Sequence, residues 1–115
     1  MYNSAVTQLE KELETELLAI YDKCATIGYR PTYFKRMLIS SNPHFNKGPV
    51  GTVRHLMAGN ASADSGFRRL IEADKLGWTV EWLIAMNPKW WPLFPEWVVK
   101  EAKARVNDET KGNSK

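Results

Sequence analysis

An all-α fold is what this sequence predicts: a single small bundle of five to six short helices packed around a long N-terminal helix. Three observations carry the prediction. Leu9, Leu13, Leu17, Ile20, Cys24 and Ile27 form a continuous apolar stripe at helical spacing. No strand-like alternation of useful length occurs, and no internal repeat is obvious. Prolines and glycines then cut the remainder into segments the length of short helices.

Taken in order, the first helix carries that stripe. Ser4 or Thr7 is placed to cap it, glutamates crowd its early turns, and Gly28 stands where a C-terminal glycine cap belongs. A second helix is expected near Pro31, because proline suits a first turn, with Phe34, Met37 and Leu38 facing the core. "SSNPHFNKGPVG" reads as a loop. Pro49 starts a third helix ending at Gly59 and Asn60, although Gly51 inside it costs ~1 kcal/mol relative to alanine. Asp64 or Ser65 caps a fourth, with Phe67, Leu70 and Ile71 inward. Thr79 caps a fifth, with Val80, Leu83 and Ile84 inward and Trp78 and Leu83 placed as a hydrophobic staple; it stops before Pro88. "NPKWWPLFP" reads as a proline-framed turn, after which Pro95 opens a last helix through Val106, with Trp97, Val98, Ala102 and Val106 near its inner face. Residues 1–106 are therefore one domain, and 107–115 a disordered tail.

Composition bounds the class. With 115 residues, 43% apolar and 25% charged, the chain is long enough for one core and ordinary for a soluble domain. No apolar run approaches the ~20 residues of a membrane span, so no membrane association is expected, and no secretory signal is visible. The one cysteine, Cys24, excludes an internal disulfide and fits a reducing, cytoplasmic location.

All five tryptophans lie between Gly77 and Ala102. Trp78 and Trp82 are four apart and Trp97 follows Phe94 by three, spacings that favour a core over a ligand pocket or membrane belt. Trp90 and Trp91 are adjacent and cannot both enter one narrow core, so one of them is a candidate partner-binding anchor.

Catalytic constellations are poor. His44 and His55 are the only histidines, and with one cysteine no zinc cluster of the usual kind can be written. Cys24 on the inner stripe suits a buried inert thiol. Glu72, Asp74 and Glu81 suit solvation or pairing: Glu81 lies in a helix's first turn, and Glu72 is spaced to pair with Arg68 or Arg69. "MAGNASADSG" lacks the glycine spacing of a phosphate loop. The expectation is a non-enzyme with no cofactor and no metal.

Charge supplies the positive signal. Residues 1–29 net −3, whereas 30–69 net +6 through Arg30, Lys35, Arg36, Lys47, Arg54, Arg68 and Arg69 against Asp64 alone. Interleaved with Tyr29, Tyr33, Asn46 and His55, these cations are the raw material of a phosphate-contacting face. Neutralising the acidic first helix is the competing use, and it leaves an excess.

The order "LLAIYDKCATIGYRPTYFKRML", "GTVRHLM", "SGFRRLIEADKLGWTVEWLI" and "NPKWWPLFPEWVVKEAKARV" resembles a small helical domain that recurs in uncharacterised bacterial and phage-borne proteins. The likeness rests on Tyr21, Gly28-Tyr29, Phe34, Met37-Leu38, Gly66-Phe67, Leu70, Glu72, Leu76, Thr79-Val80-Glu81, Leu93-Phe94 and Ala102 to Arg105. It departs at "NPHFNKGPV", longer than the usual glycine turn, and at Gly77-Trp78, where that pattern has an acidic-aliphatic pair. The resemblance implies an accessory binding module and brings no catalytic role. Two functions are expected on this reading: nucleic-acid contact through residues 30–69, or protein interaction through Trp90 or Trp91.

Overall fold

Leucine at every turn of one long segment gives the molecule its axis. In the computed structural model, which describes residues 4–59 and 65–113, α1 spans Ser4–Thr26 and buries Leu13, Leu17, Ile20 and Cys24. The helix already includes Thr7, so Thr7 does not cap it. Its end is a Schellman motif: Tyr29 N–H donates to the Cys24 carbonyl and Gly28 N–H to Ala25, with Gly28 at φ 77°. Ile27, just past the last helical residue, leaves the stripe and is exposed.

Around α1 pack α2 (Thr32–Ile39), α3 (Gly48–Ala58), α4 (Ser65–Glu72), α5 (Val80–Ala85) and α6 (Glu96–Asn113). No strand occurs among the described residues. Pro31 precedes the first residue of α2, and Phe34, Met37 and Leu38 are buried as the sequence predicts. Asp64 and Asn60 lie outside the described residues. Helix α4 buries Phe67 and Leu70, with Ile71 half-buried, and closes on a second Schellman motif. There Lys75 N–H reaches the Leu70 carbonyl and Asp74 occupies the left-handed position at φ 60°, which aspartate tolerates better than most residues.

Thr79 is the N-cap of α5, its Oγ1 accepting from Trp82 N–H at 3.0 Å. Two 3-10 turns, Leu76–Trp78 and Pro88–Leu93, flank that helix; the second is a regular segment where the sequence suggests only a turn. The core cluster joins α1 to Phe34, Leu38, Val53, Met57, Leu70, Val80, Ile84, Trp90, Phe94 and the Val98–Val99–Ala102 stripe of α6.

Four expectations need correcting. Helix α6 continues through Asn107 to Asn113, and within that stretch Glu109 pairs with Arg68 of α4 at 3.0 Å. Trp97 is 43% exposed, since the inward face of α6 is set by Val98, Ala102, Arg105 and Val106, and Trp97 falls well off that stripe. Trp82 is half-buried and outside the core cluster, whose α5 contributions are Val80 and Ile84. Trp78 is also only half-buried, though it packs against that cluster.

Cys24 is buried and burial pushes its thiol above the ordinary range. The native protein at pH 8 should therefore react with iodoacetamide far more slowly than the urea-unfolded chain. Equal rates in the two states would show that the thiol is accessible.

Candidate nucleic-acid interface

A basic and aromatic face is built by α2, α3 and the loop between them. Loop 40–47 is held by short side-chain caps rather than by packing. Asn42 Oδ1 accepts from His44 N–H at 2.9 Å, Asn46 Oδ1 from Gly48 N–H at 2.8 Å, and Asn46 Nδ2 donates to the Ser40 carbonyl at 2.7 Å. Lys47 N–H also donates to the Met37 carbonyl at 2.6 Å, tying the end of the loop to α2. These bonds fix where Phe45 and Lys47 stand.

Three of the seven expected cations are gathered here. Arg36 places its guanidinium 4.0 Å from the centre of the Phe45 ring. Arg36, Phe45, His44, Tyr33 and Lys47 line one small cleft, and Lys47, Arg54, His55, Gly51, Ala58 and Trp97 line an open hollow of about 390 Å³. Lys47 belongs to both, and the Tyr33 and His55 rings stack between them at 6.0 Å. Tyr33, Phe45 and Trp97 are 61%, 42% and 43% exposed. No carboxylate occurs in the chain between Arg30 and Gly59. Neither Lys47 nor Arg54 has an ion-pair partner among the described residues.

The other four cations are placed differently, so the single basic face expected from the sequence divides. Arg68 is committed to Glu109, with its guanidinium also 5.1 Å from the Phe67 ring. Arg69 lies 5.3 Å over Tyr29, the chain neighbour of Arg30, and Lys35 lies 4.8 Å over Tyr21. Arg30 edges a cavity of about 600 Å³ with Cys24, Phe34, Phe67, Val80 and Glu81, which meets the α2–α3 face only at Tyr33, Met37 and His55. The cause is helical geometry: α4 is a different element from α2 and α3, and Lys35 is turned about 100° from Arg36 around α2.

Of the partner-binding candidates, Trp90 is 3% exposed and belongs to the core, which withdraws it from any surface role. Trp91 is half-buried; its Nε1–H donates to the Ile84 carbonyl at 2.8 Å and Lys103 covers its ring at 4.0 Å. Neither is the open anchor expected from their adjacency. Trp97 is the exposed tryptophan that sequence reasoning placed inside, and its offset from the Val98–Ala102–Val106 stripe is the signal that could have revealed it.

A second arrangement was not anticipated. Arg105, 3% exposed, donates from Nη1 to Glu81 Oε2 at 3.0 Å and from Nε to Glu101 Oε2 at 2.7 Å. Its Nη2 reaches the Gly59 carbonyl at 2.6 Å and Nη1 the Leu56 carbonyl at 3.2 Å, at the end of α3. Burial opposes the charge, but Glu101 and Glu81 outweigh it and raise the guanidinium pKa above its ordinary value. Glu81 is thereby occupied in a buried ion pair, and Glu72 stands exposed on α4. Among the described residues no group of three His, Cys, Asp or Glu side chains is placed to hold a metal ion, and no helix is long and apolar enough to cross a membrane.

Compared with protein-family models, with curated proteins and with solved structures, the chain matches none.

Proposed function

We propose that this chain is a small non-catalytic accessory binding protein that contacts nucleic acid through the α2–α3 face. The observation that carries the reading is the grouping of Arg36, Lys47 and Arg54 with exposed Tyr33, Phe45 and Trp97 around one carboxylate-free segment. Exposed cations beside aromatic side chains, with no carboxylate in 30–59, suit phosphate contact and ring stacking together. Arginine contributes a planar fork that matches phosphate oxygens. Protein interaction through Trp90 or Trp91 is less favoured, because Trp90 is core and Trp91 is half-buried with its Nε1–H already donated to the Ile84 carbonyl.

The test is fluorescence anisotropy with labelled DNA and RNA oligonucleotides at two salt concentrations. Binding should weaken steeply as salt rises. Reversing Arg36, Lys47 and Arg54 to glutamate should weaken binding to every sequence and reduce the salt slope by about 2–3, roughly one per lost phosphate contact. The helical circular-dichroism spectrum should survive, since all three side chains are exposed. Absence of binding by the unmutated protein at low salt would remove the proposal.

A further inference from the structure

The hollow beside Trp97 has a floor of small residues. Gly51, Arg54, His55 and Ala58 share one face of α3, Lys47 stands at its N-cap, and Trp97 closes the hollow from α6. Gly51 is the informative member. It stands inside a helix, where glycine is disfavoured against alanine, and it has no positive φ to require it. An added Cβ would stand 3.0 Å from the Lys47 Cβ, so a side chain would both raise the floor and crowd the lysine stem. Glycine here keeps open a shallow space of about 390 Å³ between an exposed indole and two cations. The carboxylates nearest Trp97 along α6, Glu96 and Glu101, are engaged with Lys100 and Arg105.

Resting on the nucleic-acid reading, we propose that this hollow takes an unpaired nucleobase stacked on Trp97 while Lys47 and Arg54 hold the adjoining phosphates, so that the ligand is a single strand. A paired base keeps its faces inside the duplex stack and cannot offer one to an indole. An apolar protein segment would have to desolvate Lys47 and Arg54 without neutralising them, whereas a nucleotide supplies the ring and the anion together. Phe45 under Arg36 and the Tyr33–His55 pair extend the same surface beyond the hollow.

The experiment titrates the full chain into labelled (dT)12 and into a 12-base-pair duplex at low salt. The single strand should bind more tightly. Trp97→Ala should weaken single-strand binding roughly five- to 150-fold, the ~1–3 kcal/mol of one stacked base, and leave duplex binding unchanged. Trp97→Leu, which keeps apolar bulk without an aromatic face, should lose the same preference, and Trp97→Phe should recover most of it. Equal or tighter duplex binding by the unmutated protein overturns the single-strand inference while the nucleic-acid reading stands. Unchanged single-strand affinity in folded Trp97→Ala and Trp97→Leu also overturns it. No binding to either probe overturns both.

Discussion

Arg105→Met is expected to destabilise the protein by ~3–5 kcal/mol, because it strands a buried carboxylate. The Arg105 and Glu81 side chains are 2% and 4% exposed, so neither charge has water to fall back on. The same guanidinium satisfies carbonyls at the end of α3, where four helix acceptors lack intrahelical donors and a cation is favoured. One side chain thus ties α3, α5 and α6 together. Glu81→Leu should also be costly alone, while the double variant Glu81→Leu/Arg105→Met should cost clearly less than the sum of the two, since the only carboxylate left without its partner, Glu101, is 39% exposed. Urea denaturation of the four proteins measures the coupling. Stability within ~1 kcal/mol of the original in Arg105→Met would show that the network contributes little. The raised pKa of Arg105 has a definite linkage sign: its stabilisation is complete below the ordinary guanidinium pKa and is lost only as pH rises through the raised one. Moderately alkaline conditions should therefore leave this contribution intact.

What could be read in advance was what is local. The Leu13–Leu17–Ile20–Cys24 stripe is one period on one helix, and its meaning does not depend on any other part of the chain. Gly28 and Thr79 act on backbone groups within a few residues, so the two caps are legible for the same reason. Arg105 is different. Apart from Glu101, an i,i+4 partner of the kind any surface arginine can have, its partners lie 24 and 46–49 residues earlier. The basic segment was visible as a sum of charges, yet its division followed from packing: only the fold commits Arg68 to Glu109 and leaves Arg54 beside Trp97. The Phe94-to-Trp97 spacing is misleading because it crosses a helix boundary at Glu96, and the Trp78-to-Trp82 spacing because it crosses the N-cap at Thr79; the helical period does not carry over either.

Trp90→Ala should cost ~3–5 kcal/mol, whereas Trp97→Ala should change stability by no more than ~0.5 kcal/mol. Adjacent tryptophans had to separate, and Trp90 is the one that enters the core, packed in the cluster that joins α1 to α6. Removing it leaves a cavity among side chains that cannot collapse far, held as they are by α1 and the 3-10 segment Pro88–Leu93. The intermediate substitution is the more instructive. Trp90 Nε1 is buried with no hydrogen-bond partner among the described residues, a condition that costs ~1–3 kcal/mol for an unsatisfied donor. Phenylalanine removes that donor while keeping most of the ring, so Trp90→Phe should cost well under half of Trp90→Ala. Lys89, whose ammonium lies 4.5 Å from the Trp90 ring centre, retains an aromatic face in the phenylalanine variant and loses it in the alanine one. Chemical denaturation of the three variants orders these effects. Near-original stability in Trp90→Ala would place the side chain outside the core, and unfolding of Trp97→Ala would make Trp97 a structural residue, leaving the hollow beside it without its stacking face.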